Sequence, residues 1–329
     1  MTASGAWNSM FGKWKRNKLR YYRIGLVLII QISLVMACAS AMTDEQAGKL
    51  DRVFKQTGQI RDDGLDEISG MAASHRVDNQ FWVLNDSGNP PELYVIDVTG
   101  QVKGTVRIDN TANVDWEDIG SFTANGKPYL IIADTGDNLA VRPQSHLIVI
   151  PEPAHPLPES VTPTAVLTFQ YEDGPRDCES VAVEPSTNKI FLLSKRDQPP
   201  QLYELPLHLT GSTEVITARR VGNIQSIPIR KPVYPFTSSG DYNTAMDFSP
   251  DGRQAVVLTY RDLFIFNRQK GESWLVAMNR PYLSFSLPEI TQAESVCFSV
   301  NGTAVYLTSE KIPAPILKID LNTRRLSQQ

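Results

Sequence analysis

Carboxylates and hydroxyls recur at one place in a repeated pattern. The tripeptides Glu67-Ile68-Ser69, Asp115-Trp116-Glu117, Asp177-Cys178-Glu179, Tyr242-Asn243-Thr244 and Gln292-Ala293-Glu294 each stand directly ahead of a short apolar run. Their third residues, Ser69, Glu117, Glu179, Thr244 and Glu294, lie 48, 62, 65 and 50 residues apart. An unpaired carboxylate at the head of a buried strand must shift its pKa or destabilise the fold, so a ring of such oxygens calls for a cation between them. Oxygen-only ligands suit a hard ion, and one Ca²⁺ held by these residues is the expected cofactor.

A second polar series follows one strand later. Asn85-Asp86-Ser87, Asp134-Thr135-Gly136-Asp137-Asn138, Ser194-Lys195-Arg196-Asp197, Thr259-Tyr260-Arg261-Asp262 and Ser309-Glu310-Lys311 each close the second apolar run of a repeat. In an antiparallel meander the end of the second strand lies beside the start of the first, so both series share one face. Glu67, Asp115 and Asp177, two residues before their axial oxygens, point the same way. Asp86, Asp134, Lys195, Arg196 and Arg261 are therefore the candidate catalytic or ligand-holding groups, suited to a phosphate held near a metal. The competing reading is that these are solvated polar turns.

The elements that must position these residues are short strands. Each repeat supplies apolar or alternating runs, such as Gly70 to Ala73, Phe81 to Leu84, Leu93 to Val98 and Val102 to Ile108, divided by turn chemistry such as Thr99-Gly100. Spacings of 48 to 65 residues with four strands each suit a propeller blade, and the fold expected is an all-β, five-bladed β-propeller. The fourth repeat is read with Trp274 to Met278 as its outer strand. The fifth lacks an outer strand, and Val53 to Ile60 is expected to close the ring by pairing there. Pro151 to Pro163 and Gln225 to Gly240 are long connections, the latter before the fourth inner strand.

Composition narrows the function classes. Of 329 residues, 41% are hydrophobic and 21% charged, ordinary for a globular chain, while 22 Pro and 20 Gly fit one that turns often. The formal net charge of -4, with no basic stripe beyond the N-terminus, argues against nucleic-acid binding. Lys13, Lys15, Arg16, Lys18, Arg20 and Arg23 precede an apolar run from Ile24 to Ala37 and the small residues Cys38-Ala39-Ser40-Ala41, the pattern of an export signal. Three processing outcomes stay open: lipidation at Cys38 after Val35-Met36-Ala37, ordinary cleavage after Ala39-Ser40-Ala41, or an uncleaved signal anchor. The organisation is then residues 1–41 as targeting segment, 42–66 as an N-terminal segment with the closing strand, and 67–329 as the propeller. Export to the periplasm or cell exterior, membrane contact only through the N-terminus and a monomeric state are expected. Cys178 and Cys297 sit on inner strands of non-neighbouring repeats and are read as buried free thiols. The chain lacks a zinc-type His cluster, a Gly-x-Ser-x-Gly elbow and a Gly-rich phosphate loop, which turns the reading away from serine hydrolases and nucleotide folds.

The axial order Ser69, Glu117, Glu179, Thr244, Glu294 resembles the calcium site of the soluble calcium-activated nucleotidases, the apyrases. These are five-bladed propellers in which Ser or Glu from successive inner strands surround one Ca²⁺. Asp115-Trp116-Glu117-Asp118-Ile119, Asp177-Cys178-Glu179-Ser180-Val181 and Ala293-Glu294-Ser295-Val296 are similar to that family's inner strands, and Phe191-Leu192-Leu193-Ser194-Lys195-Arg196 to its strand ending in paired basic residues. Trp82-Val83-Leu84-Asn85-Asp86-Ser87-Gly88 and Ala133-Asp134-Thr135-Gly136-Asp137-Asn138 resemble pieces of the phytase-like and esterase-like calcium propellers. The resemblance implies calcium-dependent binding or hydrolysis of a phosphate-bearing small molecule. One departure bears on activity: the nucleotidases begin with an Asp-rich acid/base strand, for which Asp62-Asp63 is only a poor counterpart. The alternative is a non-enzymatic envelope propeller that binds protein or glycan around a structural calcium.

Overall fold

The computed structural model describes residues 53–211, 214–229 and 242–321. Residues 1–41, read above as a targeting segment, and the Gln225 to Gly240 connection beyond residue 229 lie outside the described residues.

The described chain is almost entirely β, in four sheets. Strand β1 is Lys55–Ile60. The first meander is β2 (Ile68–Ala73), β3 (Gln80–Asn85), β4 (Glu92–Asp97) and β5 (Val102–Ile108), and the second is β6 (Trp116–Ala124), β7 (Lys127–Asp134), β8 (Ser145–Pro151) and, after the short β9 (Ser160–Val161), β10 (Ala165–Tyr171). The third is β11 (Cys178–Glu184), β12 (Lys189–Ser194), β13 (Gln201–Pro206) and β14 (Ile216–Asn223). Then come β15 (Asn243–Phe248), β16 (Gln254–Thr259), β17 (Asp262–Asn267), helix α1 (Trp274–Met278) and β18 (Leu283–Ser286), and finally β19 (Ala293–Phe298), β20 (Ala304–Ser309) and β21 (Ala314–Asp320). Parallel pairing of β10 with β14, at Phe169↔Ile216, joins the second and third meanders edge to edge into one sheet.

The arrangement is propeller-like. First strands pack in a closed sequence, β2 on β6, β6 on β11, β11 on β15, β15 on β19 and β19 back on β2. Apolar layers fill the spaces between successive meanders. Trp82, Leu84 and Val95 of the first meet Ile119, Leu130 and Ile148 of the second, and Ile131, Leu147 and Phe169 of the second meet Val181, Leu192 and Tyr203 of the third. A fully buried side chain of this size contributes roughly 1.5–3 kcal/mol, so these layers are the principal source of stability.

Strand β1 pairs antiparallel with β21, from Lys55↔Lys318 to Ile60↔Ala314, and completes the last sheet in the order β1-β21-β20-β19. Its other side meets the first meander's β4–β5 turn, where Gln59 N donates to the Thr99 carbonyl at 3.0 Å. A Cβ on Gly58 would stand 2.3 Å from the Thr99 backbone, so only glycine permits this approach.

The strand expected over Trp274 to Met278 is instead α1. Ser273 caps it, its hydroxyl accepting from Val276 N, and Trp274, Ala277 and Met278 bury one face at helical spacing. The outer strand of that meander is β18, paired with β17 at Leu263↔Phe285.

Candidate functional site: the acidic mouth

Every first strand carries a one-residue irregularity at the same point. Register shifts fall between Ile68 and Gly70, Trp116 and Asp118, Cys178 and Val181, Asn243 and Ala245, and Ala293 and Ser295. Ser69, Glu117, Glu179, Thr244 and Glu294 are thus bulge residues. A bulge adds one residue against the partner strand and re-aims its side chain, which is how a polar group can sit at the head of an otherwise apolar strand.

Hydroxyls fasten these bulges to one another. Ser69 Oγ donates to the Trp116 carbonyl at 2.8 Å, Thr135 Oγ1 to the Cys178 carbonyl at 2.7 Å, and Thr244 Oγ1 to the Ala293 carbonyl at 2.7 Å. Each accepting carbonyl immediately precedes one of the glutamates, so the hydroxyls fix where Glu117, Glu179 and Glu294 leave the backbone. Their oxygens keep lone pairs free to accept.

A second tier surrounds this ring. Asp86 N, Thr135 N, Lys195 N, Tyr260 N and Glu310 N donate to the carbonyls of Glu67, Asp115, Asp177, Tyr242 and Gln292. The repeated bond makes these five positions equivalent and brings their side chains over the bulges. Lys195 is the cation of this tier: it is buried, pairs directly with Glu179 Oε1, and stands 5.5 Å from the Tyr260 ring centre. Tyr260 OH donates to Glu294 Oε1 at 3.2 Å, and the carboxyl of Glu310 hydrogen-bonds that of Glu294.

Charge is unbalanced in favour of carboxylates. Asp86, Asp115 and Glu117 bring oxygens within 4.8 Å of one another, and so do Glu117, Asp177 and Glu179, with Glu117 common to both groups. Burial, then the Glu179 charge, raises the pKa of Glu117 well above the usual carboxylate range. Burial likewise raises Glu179 against the pull of Lys195, and pushes Asp115, beside Asp86, up to about 6. Burial, together with Glu294, lifts Glu310 to about 8. Burial opposes charge on Lys195, but Glu179 foremost outweighs it and raises the lysine's pKa. Glu179 Oε2 is buried with no hydrogen-bond partner. Gly136 makes room for the cluster: a Cβ there would lie 2.3 Å from Glu117 Oε1 and 2.4 Å from Asp115 Oδ2.

The sequence-derived residues divide accordingly. Glu117 and Glu179 come together and gain Asp177, Asp115 and Asp86. Glu294 is turned to Tyr260 and Glu310, outside both carboxylate groups, and Ser69 and Thr244 use their protons on neighbouring strands. Asp134 is buried, accepts from Asp115 N at 3.2 Å and is held by Arg142 at 2.9 Å. Arg196 pairs with Asp177 Oδ2 at 2.6 Å, donates to Asn138 and lies over the Tyr242 ring, with 41% of its side chain exposed. Arg261 is half-buried and bonded through its backbone to Thr259 and Leu287. Glu67 meets Lys311 at 3.5 Å and Asn89 at 3.0 Å. Cys178 and Cys297 are buried free thiols.

Two carboxylates went unread: Asp118, adjacent to Glu117, and Asp247 on β15. A charged residue inside an apolar inner strand is the signal that marks both.

No protein-family model matches the chain, and no curated protein matches it. Among solved structures, Kuenenia stuttgartiensis hydrazine synthase is similar at 11% identity, with a TM-score of 0.44 over 79% of this chain and 97% of that one. A luciferin-regenerating enzyme is similar at 11% identity, with a TM-score of 0.42 over 82% of this chain and 95% of that one.

Proposed function

We propose that this chain is an exported, five-bladed β-propeller that holds Ca²⁺ at the acidic mouth and there binds, and hydrolyses, a phosphate-bearing small molecule. The observation that carries the reading is the pair of carboxylate groups meeting at Glu117, with Glu179 Oε2 buried and unsatisfied beside them. The donors are all oxygens and more numerous than the cations that face them, which fits a hard divalent ion. Glu117, Asp177 and Glu179 would hold it, with Asp86 and Asp115 on the solvent side.

Bound there, Ca²⁺ would supply charge neutralisation and polarise a phosphoryl oxygen. The chain's own residues have separate tasks. Lys195 keeps Glu179 Oε1 occupied and turns Oε2 to the cluster. Asp115, half-buried beside Asp86 on the solvent side, is the carboxyl placed to take or give a proton. Arg196, partly exposed, can direct a guanidinium N–H to a phosphate oxygen without leaving Asp177.

The alternative is a non-catalytic binding module with a structural calcium. It is favoured by the ion pairs that already engage Lys195, Arg196 and, through Arg142, Asp134. The two readings part in one experiment: thermal melts with calcium or chelator, followed by a calcium-dependent screen of nucleotides and phosphate esters on wild type and Arg196→Ala. The proposal expects calcium stabilisation, turnover only with calcium, and at least tenfold weaker capture or turnover in the variant at unchanged stability. Calcium stabilisation with neither phosphate binding nor turnover leaves the binding module. A melting temperature indifferent to calcium removes the metal from both.

A further inference from the structure

The first strands open at their far ends onto a second cavity, of about 460 Å³, within the range of small-molecule sites. Its wall is mixed: Phe122, Phe248 and Phe298 from three meanders and Val300 form an aromatic and aliphatic side, and polar residues such as Thr123, Ser249 and Arg268 form the rest. Asp247 lies in this lining and is partly exposed. Its carboxylate accepts from Phe248 N and Phe298 N, both at 2.8 Å, and makes no ion pair among the described residues. The charged group behind it is another carboxylate, Asp118, fully buried and likewise bonded to backbone amides of Ile119 and Val181 at 2.8 Å.

The basic groups at this end are already committed. Arg268 pairs with Glu184, donates Nε to the Gly252 carbonyl at 2.9 Å and lies 4.0 Å from the Trp274 ring centre. The His75 ring shares a hydrogen bond with Thr123 Oγ1 at 2.9 Å, and burial lowers its pKa, which keeps it neutral. The Asp247 carboxylate therefore faces the aromatic side of the cavity with no ion pair of its own among the described residues.

We infer that this cavity binds an organic amine as its ammonium ion, the cationic head on Asp247 and the apolar body along Phe122, Phe298 and Val300. Each Asp247 oxygen has a lone pair left after its backbone bond, and aromatic faces attract a cation through the ring quadrupole. A divalent metal is a poorer occupant, because it needs six or so oxygens and the cavity offers one uncommitted carboxylate.

The test is calorimetric titration of the full-length chain with 2-phenylethylamine and with its neutral isostere 2-phenylethanol. The amine should bind saturably and the alcohol at least tenfold more weakly, with no change on calcium chelation. Asp247→Asn should weaken amine binding at least tenfold. Val300→Trp, which fills the cavity without touching the carboxylate, should do the same and serves if the first variant does not fold. No saturable amine binding, equal binding of amine and alcohol, or binding indifferent to the substitutions overturns the assignment.

Discussion

The two ends of the inner-strand ring solve the burial of carboxylates differently. At the starting end, Glu117, Asp177 and Glu179 are crowded together, and the chain answers with bulges that aim them, hydroxyl latches that fix them and Lys195 set among them. At the far end Asp247 and Asp118 are few and bonded to backbone amides, and among the described residues neither makes an ion pair with a side-chain cation. Backbone amides can hold a lone carboxylate in place without neutralising it, whereas a cluster needs charge. On the proposed reading the first end is built to hold a metal cation among its carboxylates, and the second to take an organic one on a lone carboxylate.

Both ends depend on ring closure, so the largest effect should follow its loss. Deleting Lys55–Ile60 strips β21 of its partner and uncovers Ile316 and Ala314. A cost of about 5 kcal/mol would lower the melting temperature by roughly 10 °C or more, while an equal deletion within Met42 to Lys49 should be nearly silent in melts of the purified chain. Similar melts for both would break the account of closure.

The next largest effect should be confined to the acidic mouth. Removing one partner of a buried ion pair leaves the other charge uncompensated, so Lys195→Met should cost about 3–5 kcal/mol in chelator. Added calcium should restore part of it, read by denaturant unfolding, because the ion then supplies the missing charge. An unchanged variant would mean that Glu179 and its neighbours are protonated and need no cation.

Much of this was legible because repetition multiplies weak signals. A single Glu before an apolar run says little, but Ser69, Glu117, Glu179, Thr244 and Glu294 at equivalent places located the bulges, and Asp115 and Asp177 followed from strand periodicity. Side-chain reach was not legible. The spacing of Lys195 places it at a strand end, yet nothing in the sequence says that its ammonium turns inward to Glu179 while Arg196 stays at the rim. The error at Trp274 to Met278 came from reading an apolar run without its cap: Ser273 and the 274, 277, 278 spacing carry the helix signal. Asp247 was passed over because one carboxylate has no repeat to announce it.

A smaller effect should separate the ends by pH. Asp115, Asp247 and Glu310 have folded pKa values of about 6, 7 and 8, above their unfolded values, so between those limits the folded state binds more protons than the unfolded one. Their contribution is full below the unfolded pKa and is lost as pH rises through the folded pKa. Stability in chelator should accordingly fall from pH ~5 to ~8. Calcium should flatten the part due to Asp115, which lies in the carboxylate group, and Asp247→Asn should remove the part due to Asp247, leaving that of Glu310. A slope unchanged by calcium would place the titrating groups away from the acidic mouth.

The smallest effect tests whether the hydroxyls of the ring are latches or ligands. Ser69 and Thr244 each spend a proton on a neighbouring carbonyl, so replacing either by Ala should cost about 1 kcal/mol, the usual net worth of one buried hydrogen bond. The neutral oxygen adds little beside three carboxylates, and calcium affinity should change less than threefold. The two substitutions should also differ in reach: Ser69→Ala loosens the carbonyl before Glu117, within the carboxylate group, whereas Thr244→Ala loosens the one before Glu294, outside it. Whatever change in calcium affinity occurs should be larger for Ser69→Ala. A tenfold loss in both would instead put the hydroxyls, and Glu294 with them, in a single coordination sphere on the axis.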